Sequence, residues 1–158
     1  MRANRAGFSL KRILVPVDFS PLSKKALQYA ARFAKQFNAE ITLFHVLEAG
    51  IPPVFDGYMI APPPSNGYQP NEKKELKSLA NSARAAGVNQ VTATTRRGMA
   101  SQEIVDAAKE LDVDLIVIAT HGYTGWKHFC IGSTAERVVR AAPCPVFVVR
   151  EKEHEFCL

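Results

Sequence analysis

The residues best equipped for chemistry lie in one stretch, Ala119-Thr120-His121-Gly122-Tyr123-Thr124-Gly125-Trp126-Lys127-His128-Phe129-Cys130-Ile131-Gly132-Ser133-Thr134. Glycine lets another group approach the backbone because no Cβ stands in the way, and the first amides of a helix attract phosphate oxygens. Gly122 and Gly132-Ser133-Thr134 combine both features, so anion binding is the chemistry this stretch suits. Ser133 is equally fitted to cap a helix that starts there. Lys127 can reach a phosphate or extend into solvent, and Trp126, Phe129 and Ile131 serve to pack the segment onto a core. A second polar position, Asp18, ends an apolar run. A carboxylate at a strand end can bind a ribose hydroxyl, or it can favour the start of the following helix.

Several other chemistries are excluded. There is no GxxxxGK[ST] phosphate loop, no GxGxxG dinucleotide fingerprint and no GxSxG nucleophile elbow. His121 stands beside Gly122 without a carboxylate or nucleophile nearby in sequence, so a neighbouring backbone group is expected to satisfy it and no catalytic residue is assigned. Cys130, Cys144 and Cys157 form neither a CxxC pair nor an even framework, which predicts reduced thiols and a cytoplasmic location. His45, His121, His128 and His154 are too dispersed for a zinc spacing, so no metal held by protein ligands alone is expected.

The elements that must position these residues are legible in the hydrophobic pattern. Arg12–Asp18 is short and mostly apolar, as a strand covered on both faces should be. Ser20-Pro21 supplies an N-cap and a first-turn proline, and Leu22, Ala26, Ala30, Phe33 and Phe37 then recur at helical spacing. Ile41–Leu47 has the β-branched and aromatic content of a second strand. From Glu48 to Pro70 the prolines Pro52, Pro53, Pro62, Pro63, Pro64 and Pro70 predict a long irregular connection through which neither helix nor strand runs. A helix over Glu72–Ala86 carries Leu76, Leu79, Ala80, Ala83 and Ala86 on one face and stops at Gly87. Gln90–Thr95 follows as an edge strand. A helix marked by Ile104, Ala107, Ala108 and Leu111 leads into the buried strand Asp114–Ala119. A last helix from Ser133, with Ala135, Val138, Val139 and Ala142, leads into Val146–Val149.

Alternation of this kind requires a parallel sheet with helices on both faces, because each crossover is right-handed and must cover the strands. Ligands of such sheets sit beyond the carboxyl ends of the strands, where the strand order reverses. At 158 residues the chain fits one domain, taken as 11–150 between a tail at 1–10 and another at 151–158. No run approaches the roughly 18 apolar residues of a membrane span, and no signal-peptide core of about 7–15 apolar residues opens the chain. The formal charge of +5 is scattered over helix faces without interleaved aromatics, so no nucleic-acid partner is expected.

These residues resemble the universal stress protein family. The nucleotide-binding members carry G-x2-G-x9-G-[ST] after the fourth strand; here Gly122 and Gly132-Ser133 match its second part, and Ala119 replaces the first glycine. Ile13–Ser20 resembles the family's opening strand and turn, His45-Val46 the end of its second strand, Asp114–Ile118 its fourth, and Ala142–Val149 its closing segment. The resemblance implies a doubly wound α/β fold, a five-stranded parallel sheet of order 3-2-1-4-5. It implies ATP as ligand, with Mg²⁺ carried on the phosphates. Asp18 would meet the ribose or the metal-bound phosphate, with Pro16 and Val46 walling the adenine. Ala119 and Gly122 would contribute close backbone, and Gly132, Ser133 and Thr134 would receive the phosphates. Alanine is small and still presents its amide, so binding is expected to survive the exchange. The resemblance further implies a homodimer joined through Val146–Val149, acting as a stress-response regulator. A scaffold that binds no nucleotide and a slow ATPase are the alternatives.

Overall fold

The computed structural model describes residues 9–48, 54–55, 58–59, 70–120 and 132–152. Gly122, His121, Trp126, Lys127, Phe129, Cys130, Ile131 and Cys157 therefore lie outside the described residues, as do most of both tails.

Strand β1 (Arg12–Pro16) opens the fold. Ser20 ends the turn after it in an extended conformation, and its hydroxyl accepts from the Ser23 amide at 3.1 Å; with Pro21 at the first position this starts α1 (Pro21–Phe37). Asn38 closes α1 in the left-handed region, and β2 (Glu40–Leu47) returns. A short antiparallel ladder joins β3 (Val54–Phe55) to β4 (Tyr58–Met59). That ladder corrects the expectation of an irregular stretch, and its two strands occupy the part of the stretch that holds no proline. Then come α2 (Pro70–Ala85), β5 (Val91–Arg97), α3 (Ala100–Glu110), β6 (Leu115–Ala119), α4 (Ser133–Ala141) and β7 (Val146–Val149). Gly87, at φ +97°, takes the left-handed turn that ends α2, a conformation costly for any residue with a Cβ.

The main sheet runs β5-β2-β1-β6-β7, all parallel. In order of appearance among its five strands this is 3-2-1-4-5, the doubly wound arrangement. Alternate residues of each strand feed opposite faces, as a period of two demands. Ile13, Val15, Val17, Ile41, Leu43, Val117 and Val149 pack under α1 and α2. Leu14, Phe44, Ile116 and Ile118 pack under α3 and α4. Both faces are apolar because both are covered, which explains the unbroken hydrophobic runs.

Positions at the limits of the predicted stripes depart from expectation. Phe37, the last residue of α1, is 42% exposed, Ala86 lies past the end of α2, and Leu111 caps α3 in a partly open position. Val139 faces outward from α4. Leu10, placed in the tail by its sequence, is only 6% exposed and joins the α1-side core.

Candidate functional site

The sheet has one place where two neighbouring strands part. β1 pairs with β6 at only two positions, Ile13 with Leu115 and Leu14 with Ile116. On either side the ladders continue, from β1 to β2 as far as Pro16–Phe44 and from β6 to β7 as far as Ala119–Val149. The residue responsible is Pro16. Along a strand, donors and acceptors of alternate residues point to opposite neighbours. The Val17 amide donates to the Phe44 carbonyl at 2.8 Å, so Val17 faces β2 and Pro16 faces β6. Proline has no N–H to offer there, and the ladder stops. Strand order also reverses between β1 and β6, so the gap lies at the point where open α/β sheets bind ligands.

One wall is the turn after β1. Asp18, half-buried, accepts through Oδ1 from the Ser20 hydroxyl at 2.6 Å and the Ser20 amide at 3.1 Å. The acid and the helix cap are thereby linked, so the two sequence readings of Asp18 are compatible. Val46, near the end of β2, packs on the α3 side and is partly open.

The opposite wall is built from β6 and α4. The Thr120 amide donates to the Val149 carbonyl at 2.9 Å, and the Thr120 carbonyl accepts from the Gly132 amide at 2.7 Å. The start of α4 is therefore held against the end of β6, whatever path residues 121–131 take between them. Gly132 is the N-cap, at φ −58° and ψ 149°, a conformation open to every residue. Its own amide is occupied by Thr120, so what glycine supplies here is the lack of a side chain. With Gly132 at the cap, Ser133 is the first helical residue and does not occupy the capping position that the sequence allowed it. Glu136 is the first to donate within the helix, to the Gly132 carbonyl at 3.0 Å. The amides of Ser133, Thr134 and Ala135 have no acceptor inside α4, and they sit at the positive end of its dipole. The Ala119 methyl packs with the cluster beneath α1.

Four further residues near this end of the sheet were given no role at the site by the sequence reading. Gly98, at φ +154°, donates its amide to the Leu47 carbonyl at 3.2 Å, tying the turn after β5 to the end of β2. Met99 follows, 54% exposed, and the Arg137 guanidinium of α4 approaches its sulfur at 3.6 Å. His45 is buried, and its Nδ1 lies 2.8 Å from the Val17 carbonyl. The lone glycine after a strand was a visible signal for Gly98. A shallow depression on α2, lined by Lys74, Lys77, Ser78, Asn81, Ser82 and Ala85, belongs to one helix and has no opposing wall among the described residues. Among the described residues no helix is long and apolar enough to cross a membrane.

The sequence profile of the universal stress protein family matches residues 9–150. A universal stress protein of Methanocaldococcus jannaschii is 33% identical over 149 residues, covering 92% of this chain and 85% of that protein. Among solved structures, the universal stress protein UspA of Lactobacillus plantarum superposes with a TM-score of 0.74 at 23% identity, covering 91% of this chain and all (100%) of that one. Two further structures of the fold, each 20% identical, were determined with nucleotides. One is a universal stress protein in complex with cAMP, TM-score 0.68, covering 90% of this chain and 98% of that one. The other is from Archaeoglobus fulgidus in complex with dAMP, TM-score 0.64, covering 89% and 97%.

Proposed function

The chain belongs to the universal stress protein family, and from that premise we propose that it is a regulatory module which binds ATP or a related adenine nucleotide in the gap between β1 and β6. The observation that carries the reading is the early end of the β1–β6 ladder. On this account the parting strands leave a crevice between the Asp18 carboxylate and the amides of Ser133 and Thr134. In this reading Pro16 and Val46 flank the adenine, Asp18 takes a ribose hydroxyl, and the main chain of Ala119, Gly122 and Gly132 runs close to the ligand. The amides at the start of α4 receive phosphate oxygens without a side chain at Gly132 to obstruct them. Mg²⁺ arrives with the triphosphate and neutralises part of its charge. That two proteins of this fold were solved with cAMP and dAMP supports an adenine nucleotide as the ligand class.

Among its described residues the proposed site offers a place to bind and no apparatus for fast hydrolysis. Phosphoryl transfer needs a positioned water and stabilised transition-state charge. The described polar groups around the crevice are already tied to neighbours, Asp18 to Ser20 and His45 to Val17. The output is assigned to assembly. β7 is an edge strand with β6 on one side, and Val146, Phe147 and Val148 are partly open there, so a second copy can pair along it. The strand ends at Val149, whose carbonyl holds the Thr120 amide while the Thr120 carbonyl holds Gly132 at the start of α4, so phosphates bound at that helix start would be coupled to the dimer through one β6-α4-β7 unit. The cytoplasm, where ATP is abundant, is the compartment this function requires.

Calorimetric titration of the full chain with Mg·ATP tests the reading, and no heat of binding at millimolar ligand would leave the scaffold alternative in its place. Gly132→Val is the decisive variant. The φ and ψ of Gly132 suit a β-branched residue, so the fold should persist while affinity drops at least a hundredfold, about 2.7 kcal/mol.

A further inference from the structure

The turn that carries Asp18 holds an unfavourable backbone. Phe19 sits at φ +67°, a region bulky residues avoid, yet it is buried in the α1-side core. Such a conformation persists only if the surroundings impose it, and the group in contact is His45 of β2. Its ring centroid lies 4.5 Å from that of Phe19 at an interplanar angle of 43°. Its Nδ1 lies 2.8 Å from the Val17 carbonyl. A carbonyl can only accept, so Nδ1 carries the proton. The histidine is 8% exposed and grips the two residues that bracket Asp18, Val17 through its carbonyl and Phe19 through its ring.

We infer that His45 is a positioning residue for the nucleotide site: it clamps the Val17–Ser20 turn in its left-handed form and so aims the Asp18 carboxylate at the ribose hydroxyls. The inference rests on the nucleotide reading above. Release of the clamp lets Phe19 relax to a negative φ, which rotates the Asp18–Phe19 peptide and swings the acid. A satisfied core histidine with no further role would stabilise the fold but leave ribose recognition alone.

The two roles separate when affinities for Mg·ATP and Mg·2′,3′-dideoxy-ATP are compared in the full chain. Wild type should prefer ATP about tenfold, the worth of a hydrogen bond to a charged group, and Asp18→Asn should erase most of that preference. His45→Phe keeps a ring but loses the donor, and it should erase the preference as well, with no further loss in the double variant. His45→Asn, whose amide can still donate to the Val17 carbonyl, should restore part of it. Retention of the full preference in His45→Phe, with only a lower melting temperature, overturns the inference. If His45→Phe does not fold, His45→Leu, which keeps apolar bulk but has neither donor nor ring, decides instead, and a preference equal to wild type overturns the inference. A wild type that binds ATP without preferring it to the dideoxy analogue overturns the inference and leaves the nucleotide reading standing. A wild type that binds neither ligand removes both.

Discussion

The two ends of β1 are treated differently, and the contrast shows how one strand can be fastened at one end and parted from its neighbour at the other. At its amino end hydrogen bonds fasten it to the neighbouring strand and turn. Asp114 accepts through Oδ2 from the amides of Lys11 at 2.7 Å and Arg12 at 2.9 Å, and its own amide donates to the Arg12 carbonyl. The Arg12 guanidinium reaches the Leu111 carbonyl at 2.8 Å and the Asp112 carboxylate at 2.7 Å. β1 is thus stitched to β6 and to the turn before it. At the carboxyl end Pro16 breaks that stitching, and the strand holds to β2 alone. Closure at one end makes the gap at the other tolerable, since the strands are fixed before they diverge.

The comparison is most easily broken where the two halves meet. Ile116 lies in the last β1–β6 pair and is fully buried on the α3 side. Ile116→Ala should cost about 2–5 kcal/mol by lost burial and a residual cavity, measured by urea unfolding. A cost below that of the polar variants that follow would mean that packing does not hold the strands together at the mouth of the gap.

Next comes the amino-end clamp. Burial pushes the Asp114 carboxyl up, but the Lys11 and Arg12 amides, with the charges of Arg12 and Lys11, outweigh it and hold its pKa below the ordinary 3.8. A carboxylate depressed in the fold contributes stability that is complete above the ordinary value and is lost as pH falls through the lower folded one. Wild type should therefore lose part of its stability on acidification below about pH 4, and Asp114→Ala should show a flatter profile there. At neutral pH that variant should cost about 1.5–3 kcal/mol, the range for hydrogen bonds to a charged group. Equal acid sensitivity in both proteins would remove Asp114 from the clamp.

At the carboxyl end the order of effects should reverse. Asp18→Asn keeps an oxygen for Ser20, so stability should change by less than about 1 kcal/mol while ATP affinity falls about tenfold. Parallel chemical denaturation and calorimetry measure the two. If Asp18→Asn unfolds the protein more readily than Asp114→Ala, the division between a structural and a binding end is wrong.

How far the sequence reveals this division depends on how local each signal is. Strands buried on both faces read as apolar runs, and Leu115–Ala119 is unmistakable. Ser20, Pro21, Asn38 and Gly87 mark helix ends by chemistry that needs no partner far away. Pro16 was visible too, but its consequence depends on which neighbour each residue of β1 faces, and that is a property of the assembled sheet. The clamp joins residues 102 and 103 positions apart, the His45 bond spans 28, and none has a pattern in the chain. Residues 121–131, the richest in candidate chemistry, lie outside the described residues, so Gly122 rests on the sequence motif alone. The β3–β4 ladder was missed because prolines before and after it dominate the composition.

The smallest effect tests where the binding end stops. Met99 precedes α3 as its N-cap, and its carbonyl accepts from the Gln102 and Glu103 amides, but its side chain makes no capping bond; the carboxylate of Glu48, 52 residues earlier, accepts from the Ala100 amide at 3.1 Å instead. Glu103 adds a second negative charge in the same turn, packed so close to Gly98 that a Cβ there would stand 2.5 Å from its Oε1. Because Glu103 continues to favour the helix dipole, Glu48→Gln should lower stability by only about 0.3–1 kcal/mol, detectable as a small shift in the urea midpoint. Glu48 follows Val46 and Leu47 in the chain, and its carboxylate is directed at α3. ATP affinity should therefore be unchanged; a tenfold change in either direction would extend the binding end across β2 to the start of α3.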